Sequence, residues 1–99
     1  MRPIHTAQLD KSRPVVVLTR ELVRPFMARV TVAPITTTIR GLSTEVPVGA
    51  ANGLDHECVI SCDNIVAVPK TALGRQIGQL LPAQEAALTE AIHAAFDLA

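Results

Sequence analysis

Arginine beside hydroxyl groups is the chemistry this sequence offers most openly. Arg13 opens the run RPVVVLTR, directly after the polar connection Asp10-Lys11-Ser12, and the stretch APITTTIR carries Thr36, Thr37 and Thr38 ahead of Arg40. A guanidinium, with a pKa above about 12, is no general base. Its planar fork can hold a phosphate and stabilise charge developing there, and neighbouring hydroxyls add donors. If the two strands carrying Arg13 and Thr36 are neighbours, these groups meet at one end of a sheet. The plainer alternative is a surface ion pair at Arg13 and threonines chosen as β-branched strand formers. Spacing alone does not choose between them.

Other constellations offer less. His56, Cys58 and Cys62 form H-x-C-x3-C, a poor zinc site without a second ligand pair. On a strand Cys58 and Cys62 share a face and suit the role of small buried groups. Glu85 and Glu90 fit the solvated face of a helix, His93 the edge of its buried face, and His5 either a structural or a site-lining role. Gly74 and Gly78 read as turns. The sequence has no glycine-rich phosphate loop and no nucleophile elbow. Phe26 and Phe96 are the only aromatic residues, so a stacking platform for bases is lacking.

At 99 residues and 48% hydrophobic, the chain is expected to be a single domain over residues 1–99. No apolar run is long enough to span a membrane, and the N-terminus MRPIHTAQLD lacks the apolar core of a signal peptide. With two cysteines expected as free thiols, the expected location is the cytoplasm. The formal net charge is zero, but the charges are segregated. Residues 1–40 hold seven basic against two acidic residues, and the remainder two against seven. Such asymmetry, and seven arginines to two lysines, hints at a polyanion partner.

The elements that must position these residues follow from pattern. Residues 2–9 read as a first strand, and Arg13–Arg20 is the strongest strand signal, with proline at a position strands tolerate. Glu21–Ala28 is a loop or short helix broken by Pro25. Arg29–Ile39 is a second strong strand, in which Pro34 predicts a bulge or an unpaired N–H. On strand alternation Thr36 and Thr38 share a face, whereas Thr37 points with Ile35 and Ile39. A turn at Gly41–Ser43 leads to a short strand over Thr44–Val48, and Asn52-Gly53 marks another turn. Glu57–Asp63 and Asn64–Val68 form one strand continuing past a bend. Thr71–Gln76 suggests a helical turn, with Arg75–Leu80 extended. Pro82–Leu98 reads as an amphipathic helix with Pro82 at its first position and Leu88, Ile92, Ala95 and Phe96 on one face. About five mostly antiparallel strands, closed or half-closed, with one terminal helix is the economical arrangement.

The ordered set I4-H-x-A-Q-L-D10, R13-P-V-V-V-L, V32-A-P-I-T36, V59-I-S-C-D63-N64 and L73…I77-G78, followed by an amphipathic helix, resembles the MazF/PemK (Kid) family of bacterial toxins. The resemblance covers nearly the whole chain. It implies a mainly β domain, a small, strongly curved antiparallel SH3-like barrel with a C-terminal helix, working as a homodimer. It also implies a sequence-selective, metal-independent endoribonuclease of a toxin–antitoxin system, with no cofactor, acting on RNA and neutralised by a MazE-like antitoxin. The family's catalytic arginine falls on Arg13 and its threonine on Thr36. Asp63, Asn64, Arg40, Thr37 and Lys11 are the expected substrate-binding residues, with Asp63 as base or holder of a nucleotide edge.

Two departures stand out. The R-C-D segment of the PemK branch reads Ser61-Cys62-Asp63 here, so its arginine is missing. The family's longer first loop shrinks to Asp10-Lys11-Ser12, which implies different substrate selection and a groove open enough for structured RNA such as tRNA or rRNA. Three alternatives remain in view. A CcdB-like gyrase-binding toxin would rely on a C-terminal tryptophan, and the sequence contains none. A peptide-binding adaptor would need an aromatic-lined groove. A catalytically inactive relative would only bind antitoxin.

Overall fold

The computed structural model describes residues 1–98. Seven strands form one antiparallel sheet: β1 Pro3–Gln8, β2 Ser12–Val17, β3 Arg29–Thr36, β4 Glu45–Val48, β5 Cys58–Ser61, β6 Val66–Pro69 and β7 Leu73–Gln79. One helix, α1, spans Pro82–Ala95. The main strand order is β4-β5-β3-β2-β1-β7, and β6 also pairs with β3. This is the mainly β architecture with a C-terminal helix that the sequence led us to expect.

β2 and β3 bury both of their faces. Val15 and Val17 join Val30, Val32 and Val68 in one apolar cluster. Val16, Ala33 and Ile35 join Ile60, Leu80 and Leu88 in another, beneath α1. A sheet curved onto itself has an inside on both surfaces of its central strands, which is why RPVVVL needs no alternation of polar residues.

β3 gives one edge to β2 and shares the other between β6 and β5. From the Ile35–Ile60 pair to the Val32–Val66 pair, β3 advances three residues while its partner advances six. The partner is thus one strand interrupted by a three-residue excess, taken up by the 3-10 turn Cys62–Asn64. Pro34 lies opposite this interruption, where a missing N–H costs no ladder bond. The bulge carries Asp63 and Asn64 out of the sheet, as such irregularities do when they re-aim side chains.

Four expectations require correction. Residues 71–76 are not helical beyond a 3-10 turn at Lys70–Ala72, because Leu73 begins β7 and pairs with Ala7 of β1. The available β1 edge outweighs the weak local helical pattern. The strand expected to reach Ile39 ends at Thr36, and that expected to reach Arg20 ends at Val17. The helix stops at Ala95, so Phe96 lies past its end and is 56% exposed; Leu88 and Ala91 are the residues it buries.

The turn before β5 meets β7 backbone to backbone. A Cβ on Gly78 would sit 1.7 Å from the Asn52 carbonyl oxygen, so only glycine fits there. Asn52, 2% exposed, locks this junction. It donates to the Gln79 carbonyl and to Gln84 Oε1, and accepts from the Gly49 N–H and Gln84 Nε2. All four of its hydrogen-bonding positions are filled.

Candidate active site

A groove of about 750 Å³ opens where β2 begins and β3 ends. The β2–β3 register pairs Val15 with Pro34. Extending that register by two residues sets Arg13 opposite Thr36, and both line the groove. Neighbouring strands therefore bring the guanidinium and the hydroxyl together, the convergence the sequence made conditional.

Arg13 is held in a fork. Its Nε donates to Asp10 Oδ1 at 3.0 Å and a terminal nitrogen donates to Oδ2 at 3.3 Å. Hydrogen bonding from Arg13 lowers the Asp10 pKa below the ordinary carboxylate value, and the same contact raises that of Arg13. The plainer reading of Arg13 as an ion pair and the phosphate reading are thus compatible, because the paired guanidinium and its Asp10 partner both line the groove. Thr36 is equally fixed. Its Oγ1 accepts the Thr38 N–H at 3.1 Å, which leaves its own O–H free to donate to a ligand.

The opposite wall comes from the bulge. Asp63 and Asn64 both line the groove. Asp63 Oδ2 accepts the Thr44 hydroxyl at 2.6 Å, leaving its other oxygen available, and Asn64 Nδ2 donates to Ser61 Oγ at 2.8 Å. Arg40, Thr38, Ser61 and Glu45 add to the polar lining, while Pro34, Val66 and Val68 are among the residues that supply apolar surface.

Of the seven residues singled out from sequence, Arg13, Thr36, Arg40, Asp63 and Asn64 gather here, and Thr37 and Lys11 do not. Thr37 is exposed, lies past the last residue of β3 and does not line the groove. Lys11 sits at the tip of the β1–β2 connection, where its N–H donates to Asp10 Oδ1 and its carbonyl accepts the Leu9 N–H. Sequence reasoning named Thr38 only within the threonine run and missed Asp10, Ser61 and Glu45 as lining residues. The i,i+3 spacing of Asp10 and Arg13 was a usable signal; nothing local announced Glu45.

The remaining candidates lie elsewhere. Cys58 and Cys62 are free and buried in the core. Burial pushes both thiols up, Cys62 to about 11 with the Asp63 carboxylate adding to the effect. His5 lies on β1 and donates from Nδ1 to the Gly74 carbonyl of β7 at 3.0 Å, since a carbonyl can only accept. Among the described residues no three His, Cys, Asp or Glu side chains are grouped to hold a metal ion, and no helix is long and apolar enough to cross a membrane.

A small, curved antiparallel sheet capped by one helix, with an arginine and a threonine facing a groove across paired strands, defines a narrow class of proteins. The profile of the PemK-like, MazF-like toxins of type II toxin–antitoxin systems matches residues 2–96, and the chain belongs to this family. It is 67% identical over 98 residues to the endoribonuclease MazF3 of Mycobacterium tuberculosis, covering 99% of this chain and 95% of that protein. It is 35% identical to the probable endoribonuclease MazF5 of the same species, over 86% of this chain and 79% of that one. Among solved structures, the Mycobacterium tuberculosis toxin MazF-mt6 superposes with a TM-score of 0.97 at 66% identity, over 99% of each chain. A mycobacterial endoribonuclease in complex with its cognate antitoxin shares the fold at 24% identity and a TM-score of 0.87, over 98% of this chain and 93% of that one.

Proposed function

We propose that residues 1–99 act as one toxin domain, a sequence-selective, metal-independent endoribonuclease that cuts cellular RNA and thereby inhibits translation and growth. The observation that carries this reading is the pairing of an aimed guanidinium, Arg13, with a donor-ready hydroxyl, Thr36, in one groove. The 67% identity to a named endoribonuclease over nearly the whole chain supports it.

The RNA's own 2′-hydroxyl attacks the adjacent phosphorus, forming the P–O2′ bond while the P–O5′ bond breaks. The products are a 2′,3′-cyclic phosphate and a 5′-hydroxyl, and one proton passes overall from O2′ to O5′. Arg13 holds the phosphate and stabilises the extra charge at phosphorus. Thr36 donates to a phosphate oxygen, and Asp10 keeps the guanidinium oriented. Asp63, through the oxygen not engaged by Thr44, accepts the 2′-hydroxyl proton or a nucleotide edge. Asn64 and Arg40 position the strand along the groove. Without aromatic side chains nearby, bases are read by hydrogen bonding rather than stacking. The short β1–β2 connection leaves the groove accessible to folded RNA loops, including those of tRNA or rRNA.

The chain works as a homodimer in the cytoplasm and is neutralised by a MazE-like antitoxin. Support for self-association comes from Leu22 and Phe26 in the β2–β3 connection, 88% and 87% exposed, apolar surface that a partner copy would cover. The antitoxin assignment follows the family and the complex of a structural relative with its cognate antitoxin. The test is Arg13→Ala: cleavage should disappear while the dimer and the melting temperature persist, and full retained activity would overturn the assignment.

A further inference from the structure

Residues 37–42 cross from β3 to β4 without strand or helix. Two side chains hold this segment. Thr36 Oγ1 accepts the Thr38 N–H, and the Glu45 carboxylate accepts three successive amides. Glu45 Oε1 lies 3.1 Å from the Arg40 nitrogen, 2.8 Å from that of Gly41 and 3.2 Å from that of Leu42. Gly41, at φ +73, adopts the left-handed conformation that turns consecutive N–H groups to one side. The result is an anion-binding concavity already filled by the chain's own carboxylate. Arg40 stands at its edge and lines the groove, and among the described residues its guanidinium has no ion pair.

The groove is not basic. Its lining carries Arg13 and Arg40 against Asp10, Glu45 and Asp63. A polyanion is therefore held by where the two cations stand rather than by bulk charge. We propose that Glu45 is a positioning residue for RNA binding: by gathering the 40–42 amides it fixes the turn that presents Arg40 to a backbone phosphate. This inference rests on the reading of the groove as an RNA site. It makes a counter-intuitive prediction, since removing a carboxylate from a phosphate-binding groove should weaken binding.

Two substitutions separate position from charge. Glu45→Gln removes the charge and weakens the acceptor, whereas Glu45→Asp keeps the charge but shortens the reach by one methylene. Binding is measured by fluorescence anisotropy on a single-stranded RNA spanning a mapped cut site, with a 2′-deoxynucleotide at that site so that no attack occurs. Both variants should bind about threefold to tenfold more weakly, with KM rising and kcat little changed. The slope of log K against log salt should shrink by about 0.7, one phosphate contact on a single strand. The double variant Arg40→Ala/Glu45→Gln should bind no worse than Arg40→Ala alone, because both remove the same contact.

Tighter binding by Glu45→Gln with wild-type binding by Glu45→Asp would make Glu45 a mere repulsive charge and overturn the proposal. Additive losses in the double variant, or a fall in kcat with melting temperature and unchanged KM, would also overturn it. Arg13→Ala serves as the separate control. If it cleaves normally, or if the wild-type protein cuts no RNA, the reading of the groove itself fails and the proposal fails with it. If Arg13→Ala is inactive and the Glu45 variants behave as wild type, only the Glu45 assignment fails.

Discussion

Arg13 meets Asp10 through Nε and one terminal nitrogen, so a phosphate would use the N–H groups on the remaining edge of the planar guanidinium. Arg13→Lys keeps the charge but loses the fork, so its kcat should fall about 10²–10³-fold, nearer to Arg13→Ala than to the wild type. Thr36→Ala removes both the donor and the acceptor that fixes the Thr38 N–H, and should lower kcat on the order of 10²-fold, while Thr36→Ser should recover most of the rate. Single-turnover cleavage of a mapped substrate measures both series. Arg13 and Thr36 were legible because each sits at a strand end marked by a strong apolar run. Thr37 was drawn in by adjacency, yet it lies past the end of β3 and outside the groove lining, and Lys11 by charge, yet it occupies a loop tip. Glu45 was invisible because its partners depend on a chain reversal that no local pattern describes.

At the level of elements, the groove depends on the three-residue excess between β5 and β6, which lifts Asp63 and Asn64 to face Arg13. Cys62 lies within that bulge but points into the core, where its pKa rises to about 11. Two units above the ordinary thiol value mean about 100-fold less thiolate near neutral pH. Reaction with a disulfide reagent at pH 8 should therefore be at least about 100-fold slower at Cys62 folded than in urea. A thiol pKa raised by folding favours the folded state fully below pH 9 and loses that contribution as pH rises toward 11, so stability should decline over that range. The Asn52 junction is the second element-level dependence. Asn52→Ala leaves the Gly49 N–H and the Gln79 carbonyl without their partner and should cost about 2–4 kcal/mol in urea denaturation. The sequence marked Asn52-Gly53 as a turn, and Gly53 does take a left-handed φ of 83. What it concealed was that β7 passes beneath that turn. The glycines in LGRQIGQ looked like breaks, whereas Gly78 provides the gap that close backbone packing needs. The count of about five strands fell short of seven on two accounts: pairing with β1 rather than propensity made β7 a strand, and the bulge divides the strand expected over 57–68 into β5 and β6.

Across the whole molecule, the segregation of charge along the chain does not produce a basic groove. Only two of the seven arginines line it, and three carboxylates stand beside them. The overall architecture was legible because alternation and apolar runs report burial. The electrostatics of the groove were not, because folding brings Glu45 and Asp63 from the acidic part of the chain to Arg13 and Arg40 of the basic part. Under the proposed reading, catalysis in such a groove would rest on fixed geometry around one phosphate rather than on a strong field. The most direct test is incubation of the purified protein with total RNA in EDTA, followed by sequencing of new 5′-hydroxyl ends. We expect discrete, sequence-selective cuts that Arg13→Ala fails to make. Intact RNA after incubation with folded protein, cleavage only when a divalent metal is restored, or identical cuts by Arg13→Ala would contradict the account.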